Sequence, residues 1–273
     1  MHISTRRTLY ALALAAAGSS ALVAQQLPTS QPGLLTIYRE HVKTGQSAAH
    51  AKHEAGWPAA YAQANSPDHY LAMASMTGPS EVWFVQPWDS YTTWGKSMAR
   101  DDANPTLTEA LSRLSAADAQ YLDGGELIEA RARPDLSHGT FPDLNRMRFW
   151  DIAIWRLRPG YEAAFAAATA TYKKVASRAA PNARWRTYQV TAGLPGPTFI
   201  LFSSVEQFGQ FDAMMAEDQA AMQAITPEEG AIFEKFFREA IVSMVSNRFR
   251  LDAGMSYVSA ETKATDPAFW NKK

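Results

Sequence analysis

The sequence contains no cysteine among its 273 residues. This excludes disulfide frameworks, thiol catalysis and zinc or iron–sulfur centres held by cysteine. An excess of charge of one sign is also missing, because 26 Lys and Arg balance 27 Asp and Glu and no basic run is longer than two residues. A chain without a cationic surface field does not concentrate polyanions, so we expect no nucleic-acid partner.

A long hydrophobic run is absent as well, and the nearest candidate lies at the N-terminus. Arg6 and Arg7 precede an apolar stretch at 9–17, and small residues follow as far as Ala24. The stretch is shorter than the roughly 20 residues that a membrane-spanning helix needs. Its three-part pattern is typical of a secretory signal peptide. We therefore predict a signal at 1–24, an exported protein, periplasmic or secreted, and no transmembrane segment after cleavage.

The rest of the chain contains an internal repeat. Residues 34–135 align with residues 151–252 at an offset of 115, which becomes 117 after a short insertion at 194–197. Glycines, aromatic residues and charges recur in the same order, as in the pairs Gly45 with Gly160, Tyr70 with Trp185, Asp89 with Glu206 and Arg131 with Arg248. Such a pattern indicates duplication. We predict two copies with a linker at 136–150 and a C-terminal tail at 253–273.

Both copies show the same order of predicted elements, namely strand, helix, strand, strand, helix and strand. The first strands at 34–42 and 147–158 alternate apolar with polar residues. Alanine-rich helices follow at 48–64 and 161–179, and the last helix of the second copy is predicted at 227–245. The predicted fold class is α+β, with two tandem ferredoxin-like βαββαβ units whose antiparallel sheets pack as a pseudo-dimeric α/β barrel.

This element order and the duplication resemble the dimeric α/β-barrel superfamily, although the chain carries no diagnostic motif. Within this superfamily the chain resembles NIPSNAP-like proteins or proteins similar to antibiotic-biosynthesis monooxygenases. The resemblance implies the fold but does not select one reaction, since superfamily members include monooxygenases, isomerases and haem-handling enzymes. Because both units lie in one chain, we expect a monomer with an internal pseudo-two-fold axis.

Histidine is distributed unevenly, with four residues in the first copy and none in the second. We therefore predict His50, His53 and His69 as candidate catalytic bases. His50 and His53 lie one helical turn apart, but they correspond to Phe165 and Ala168 and lack the glutamate arrangement of a metalloprotease helix. We predict no metal site. Haem-binding relatives use a histidine of the second unit, which is missing here, so we predict neither haem nor another cofactor.

The first strands also carry candidate ligand-binding residues. Alternation places Tyr38 on one face and Ile37 on the other, and the sequence leaves open which face points inward. If the isoleucine face packs beneath the helices, aromatic and polar residues line the space between the sheets. The predicted ligand-binding residues are Tyr38, Glu40, Tyr70, Trp155 and Trp185. The alternative is a closed aromatic core that only holds the two copies together.

Three functions remain open from the sequence. The first is an exported barrel that binds a small, partly aromatic molecule in the first copy or between the copies. The second is a cofactor-independent oxygenase, isomerase or lyase with a histidine base in the first copy. The third is an envelope interaction protein, in which the aromatic tail at 267–270 packs on the domain or on a partner, and we favour packing on the domain.

Overall fold

The computed structural model describes residues 26–271, so the predicted signal and its cleavage site lie outside the described residues. The strands of this part of the chain are β1 (Leu34–Val42), β2 (Tyr70–Ser75), β3 (Glu81–Trp88), β4 (Leu122–Ala132), β5 (Phe149–Leu157), β6 (Arg186–Ala192), β7 (Thr198–Val205) and β8 (Ile241–Tyr257). The helices are α1 (Ser47–Glu54), α2 (Gly56–Gln63), α3 (Tyr91–Asp102), α4 (Pro105–Asp118), α5 (Glu162–Ala179), α6 (Gln210–Gln223), α7 (Pro227–Ala240), α8 (Ala260–Thr265) and α9 (Pro267–Trp270).

The strands form one closed antiparallel barrel in the order β1-β3-β2-β8-β5-β7-β6-β4. Each half of the chain supplies four neighbouring strands, β4-β1-β3-β2 from the first and β8-β5-β7-β6 from the second. The halves join where β2 pairs with β8 and β4 pairs with β6. The predicted α+β class and antiparallel barrel are therefore confirmed.

The strand registers of the two halves correspond residue by residue. Leu34 lies opposite Trp88 in the first half, and Phe149 lies opposite Val205 in the second. These pairs differ by 115 residues in the first strand and by 117 in the third, as in the sequence alignment. The two halves thus share strand order and register.

The last strands differ from the sequence alignment by two residues. Leu34 lies opposite Arg131, and its counterpart Phe149 lies opposite Arg250, so the predicted match of Arg131 with Arg248 is wrong. Arginines stand at alternate positions on both strands, which makes a slip of two residues hard to detect from the sequence. Only the pairing partner resolves it, because such a slip leaves every side chain on the same face.

The barrel interior is filled by one apolar face of each strand. Its largest buried side chains include Ile37, Trp83, Ile128, Ile152, Ile200 and Phe249. Because neighbouring strand residues point to opposite faces, Tyr38, Glu40 and Trp155 face the helices. The isoleucine face therefore points into the barrel. The prediction that the aromatic face lines the space between the sheets is wrong.

Two predicted helices have different boundaries in the structure. The helix predicted at 48–64 is divided into α1 and α2. Pro58 has no N–H to donate to the carbonyl of Glu54, which interrupts the helical ladder at this point. The helix predicted at 227–245 ends at Ala240, because the β-branched residues that follow begin β8.

The C-terminal tail packs on the barrel, as predicted. Trp270 is 5% exposed and belongs to the main apolar core. The Arg148 guanidinium lies 4.0 Å from the Phe269 ring centroid and donates to Asp266 at 2.7 Å. Among residues 26–271, the helices are all too short or too polar to cross a bilayer.

Candidate functional site

An open, mainly apolar cleft lined by aromatic residues lies in the second half, between the outer face of β5, β7 and β8 and the helices α5, α6 and α7. We call it the second-half cleft. Its volume is about 430 Å³. Its lining includes Trp155, Phe165, Thr169, Phe236, Phe237 and Met244.

The apolar end of the second-half cleft is a cluster of aromatic rings. The Trp155 ring centroid lies 5.7 Å from that of Phe165, 6.2 Å from that of Phe236 and 5.9 Å from that of Phe237. Such spacings are typical of favourable aromatic pairs and hold each ring in place. Phe237 is 46% exposed and Met244 is 52% exposed. This apolar wall is therefore rigid at its base and open to solvent at its rim.

The other end of the cleft is polar. It continues into a cavity of about 450 Å³ that shares Asp151, Tyr172 and Asp218 and adds Arg248. The Tyr172 hydroxyl donates to Asp218 at 3.4 Å. Arg248 Nη2 lies 4.0 Å from Asp151, while the buried Nη1 has no acceptor among the described residues. Arg248 thus has one buried, unpaired guanidinium nitrogen near two carboxyl groups at the polar end of the cleft.

The Asp218 carboxyl has an altered acidity. Burial raises the pKa of Asp218 above its usual value, and the nearby Asp151 and Glu217 charges raise it further. The hydrogen bond from Tyr172 and the charge of Arg248 act in the opposite direction. A carboxyl group with a raised pKa in a cleft is a candidate proton donor or acceptor.

A cluster of ionisable side chains occupies the gap between sheet and helices in the first half. We call Glu40, His50, Glu54 and Asp118 the first-half cluster. All four are buried, with exposures between 0% and 4%. His50 Nε2 lies 2.8 Å from Glu40, 3.9 Å from Glu54 and 3.7 Å from Asp118. One imidazole therefore faces three carboxyl groups.

The two halves fill this gap with opposite chemistry. At the offset of 115 residues, Trp155 stands at the place of Glu40 and Phe165 at the place of His50. The Phe236 ring packs against both of these second-half rings. A buried polar cluster in one half thus corresponds to an aromatic cluster in the other.

The space between the two sheets offers little room. The cavity at one end of the barrel has a volume of about 90 Å³ and is bounded by apolar residues such as Leu71, Trp150 and Tyr188. This is far below the roughly 300 Å³ at which small-molecule pockets begin. The barrel interior is therefore mainly a packed core.

Comparison with solved structures identifies the fold. Two similar structures are described as putative monooxygenases, from Lactobacillus acidophilus NCFM (TM-score 0.50, 6% identity, 84% of this chain and 97% of that chain) and from Fusobacterium nucleatum subsp. nucleatum (TM-score 0.52, 10% identity, 81% and 92%). A third, an anthrone oxidase-like protein, has a TM-score of 0.51 and 11% identity over 83% of this chain and 94% of that chain. No model of a known protein family matches the sequence, and no curated protein does either.

The chain has the fold of the dimeric α/β-barrel superfamily. This confirms the resemblance inferred from element order. At such low identities the likeness establishes the fold and not the reaction. In this barrel, both four-stranded units come from one chain.

The three candidate histidines of the α/β barrel do not share one site. His50 belongs to the first-half cluster. His53 bonds to the Leu114 carbonyl at 2.9 Å, which ties α1 to α4. The His69 ring lies 4.9 Å from the Tyr257 ring and is 5% exposed. The structure therefore brings His50 close to Glu40, whereas His53 and His69 lie outside the first-half cluster.

The predicted aromatic ligand residues are likewise separated. Trp155 and Trp185 both line the second-half cleft. Tyr70 packs against Tyr61 and Phe84, and its hydroxyl has no partner among the described residues. Tyr38 is 44% exposed on the helix-facing side. Only the two tryptophans thus remain together at an open site.

Sequence reasoning missed Asp118, Asp218 and Arg248 as site residues. Asp118 ends a helix far along the chain from Glu40, so no local spacing links them. Asp218 was not assigned to a site, and Arg248 appeared only as a repeat position. Their shared site depends on how α6 packs against β8, which has no local sequence signal.

Proposed function

We propose that the protein binds a small, partly aromatic molecule in the second-half cleft. The observation that carries the proposal is the pairing of an open aromatic wall with an unused buried donor on Arg248. A volume of about 430 Å³ lies within the range of small-molecule pockets. Flat apolar rings favour stacking on Trp155, and buried donors require an acceptor.

These features define the ligand class as an aromatic ring with a hydrogen-bond acceptor at one end. The ring would occupy the apolar end beside Trp155, Phe236 and Phe237. The acceptor would reach Arg248 and Asp218 at the polar end. The sequence placed this function in the first copy or between the copies, and the proposal moves it to the second half.

Isothermal titration calorimetry with 2-naphthoate tests the proposal. We expect saturable binding, and weaker binding of 2-naphthylmethylamine, which carries no acceptor in its ammonium form. Thr169→Trp would fill the cleft and abolish naphthoate binding. Ala170→Trp, at the neighbouring exposed position of α5, would leave it unchanged.

No binding of naphthoate up to about 1 mM would overturn the proposal, since a pocket that is large enough to enclose the ring binds such a probe more tightly than this. Equal binding by the Thr169→Trp variant and the native protein would overturn it as well. Preference for the amine would contradict the acceptor chemistry assigned to Arg248.

The predicted enzyme with a histidine base in the first half is a second candidate function. The contact of His50 with Glu40 at 2.8 Å supports it, because a carboxylate orients an imidazole for proton transfer. A triple variant, His50→Ala/His53→Ala/His69→Ala, with full turnover of an identified substrate would exclude it. The cleft proposal does not depend on this result.

We also propose that the protein is exported and that its two halves descend from one duplicated unit. Export is supported by the signal pattern at 1–24, and N-terminal sequencing of protein from a periplasmic fraction would test it. Duplication is supported by the shared strand order and register of the halves.

A further inference from the structure

We propose that the first-half cluster binds one divalent transition-metal ion through Glu40, His50, Glu54 and Asp118. This site is separate from the second-half cleft and independent of the function proposed for it. It is an alternative to the second candidate function, because a bound ion would occupy His50 Nε2 and exclude its use as a base. The sequence predicted no metal site, because His50 and His53 correspond to Phe165 and Ala168 and lack the glutamate arrangement of a metalloprotease helix.

The donor atoms have the spacing of ligands around one ion. One ligand atom from each residue can be chosen so that all four lie within 4.8 Å of one another. Metal–oxygen and metal–nitrogen bonds of about 2.1 Å place ligands on opposite sides of an ion about 4.2 Å apart. Side-chain rotations that move these atoms by a few tenths of an ångström therefore bring the four ligand atoms to the separation that one ion requires.

The donors come from three separate elements that are fixed by packing. Glu40 lies on β1, His50 and Glu54 lie one turn apart on α1, and Asp118 ends α4. Trp57 Nε1 donates to Glu54 at 3.1 Å and orients that carboxyl group. The support of ligands by neighbouring hydrogen bonds is typical of built metal sites.

An independent observation is the lack of partners inside the cluster. The Asp118 side chain is 6% exposed and its Oδ1 faces His50, yet Oδ1 has no hydrogen-bond donor among residues 26–271. A buried carboxylate oxygen without a donor is costly to maintain. A metal ion supplies the missing partner.

The charge balance also calls for a cation. In the described part of the chain, His50 is the only basic side chain in an ion pair with Glu40, Glu54 or Asp118. A divalent ion offsets the repulsion of carboxylates packed this closely.

The donor set indicates the class of ion. Three carboxyl groups and one imidazole suit Mn²⁺, Fe²⁺ or Zn²⁺. The imidazole disfavours Mg²⁺ and Ca²⁺, which prefer all-oxygen sites. The corresponding gap of the second half contains Trp155 and Phe165, which cannot act in this way, so we expect one ion per chain.

Calorimetric titration of the EDTA-treated protein with ZnCl₂, MnCl₂ and MgCl₂ tests this site. We expect one Zn²⁺ or Mn²⁺ per chain and much weaker binding of Mg²⁺. Asp118→Asn and His50→Phe should each weaken binding at least about 100-fold, as expected when a ligand is lost.

The half-buried pair of His41 and Glu126 is the matched control, because its atoms lie 3.0 Å apart outside the cluster. A His41→Gln/Glu126→Gln variant should bind the ion like the native protein. Electron spin echo measurements on the unaltered protein with Mn²⁺ should show one coordinated imidazole nitrogen, and this result needs no variant to fold. Absence of that nitrogen, no ion bound at about 100 μM, or loss of binding in the control variant alone would overturn the site.

Discussion

Asp218 is an acidic residue of the second-half cleft whose pKa is raised by its surroundings. Four groups face it: Asp151 from β5, Tyr172 from α5, Glu217 from its own helix and Arg248 from β8. Burial has the largest effect and raises its pKa. We therefore expect the affinity for a ligand to depend on whether the Asp218 carboxyl is protonated.

We predict that the affinity for 2-naphthoate falls as the pH rises through the raised pKa of Asp218. Below the raised pKa, Asp218 is neutral and can donate to the ligand carboxylate, whereas above it two negative charges meet. At about 4 Å this repulsion is worth about 1 kcal/mol, or roughly fivefold in affinity. Asp218→Asn should remove the pH dependence, and Asp212→Asn, at an exposed position of α6, should retain it. Titration calorimetry at pH values on both sides of that pKa measures the effect, and a flat profile in the native protein would count against it.

Gly193 closes the turn between β6 and β7 in a backbone conformation that favours glycine. Its φ is +91°, and a Cβ at this position would lie 2.1 Å from the Leu127 carbonyl oxygen. We predict that Gly193→Ala lowers the free energy of unfolding by about 2–3 kcal/mol. Gly209→Ala should be nearly neutral, because φ there is −62° and nothing lies within 4 Å of the added atom. Urea denaturation of both variants tests the difference, and equal stability would show that the β6–β7 turn adapts.

At the scale of elements, the short helix α9 contributes to the barrel through one side chain. Trp270 joins the main core, together with Ile37 and Phe249, although it lies almost at the end of the chain. A terminal segment that packs in this way is ordered by burial and not by helix propensity, since four residues do not form a stable helix alone.

We predict that Trp270→Ala destabilises the protein by about 3 kcal/mol, the usual cost of a large cavity in a core. Phe208→Ala removes a ring of comparable type that is 50% exposed, so it should cost less than about 1 kcal/mol. Thermal unfolding by calorimetry compares the two variants. A Trp270→Ala protein as stable as the native one would mean that the tail does not support the barrel.

At the scale of the whole molecule, barrel closure covers every strand edge within the described chain. Each strand pairs with two neighbours, and the two halves cover the inner faces of each other's sheets. Uncovered strand edges and apolar sheet faces are the usual causes of association in sheet proteins.

We therefore predict a monomer. Light scattering after size exclusion should give the mass of one chain, 30.1 kDa for the full sequence and less after removal of a signal. The value should not change over a tenfold range of micromolar concentration, because a monomer does not respond to mass action. A stable mass of two chains would contradict the prediction.

The sequence alone determined the elements and their order. Alternation in 34–42 placed β1 at the residues found, because the period of two is a local property of a half-buried strand. The shared element order of the halves gave the barrel class. Local patterns were insufficient at Pro58, where one proline divides a helix, and at the start of β8, where helical and strand patterns adjoin.

Only the tertiary structure decided which face of each strand points inward. Alternation is the same on both faces of a sheet, so Ile37 and Tyr38 were equally acceptable inward residues until the packing was known. The same holds for both sites. Glu40 meets Asp118, and Asp218 approaches Arg248, through contacts between distant parts of the chain, and such contacts depend on barrel closure and helix packing instead of sequence spacing.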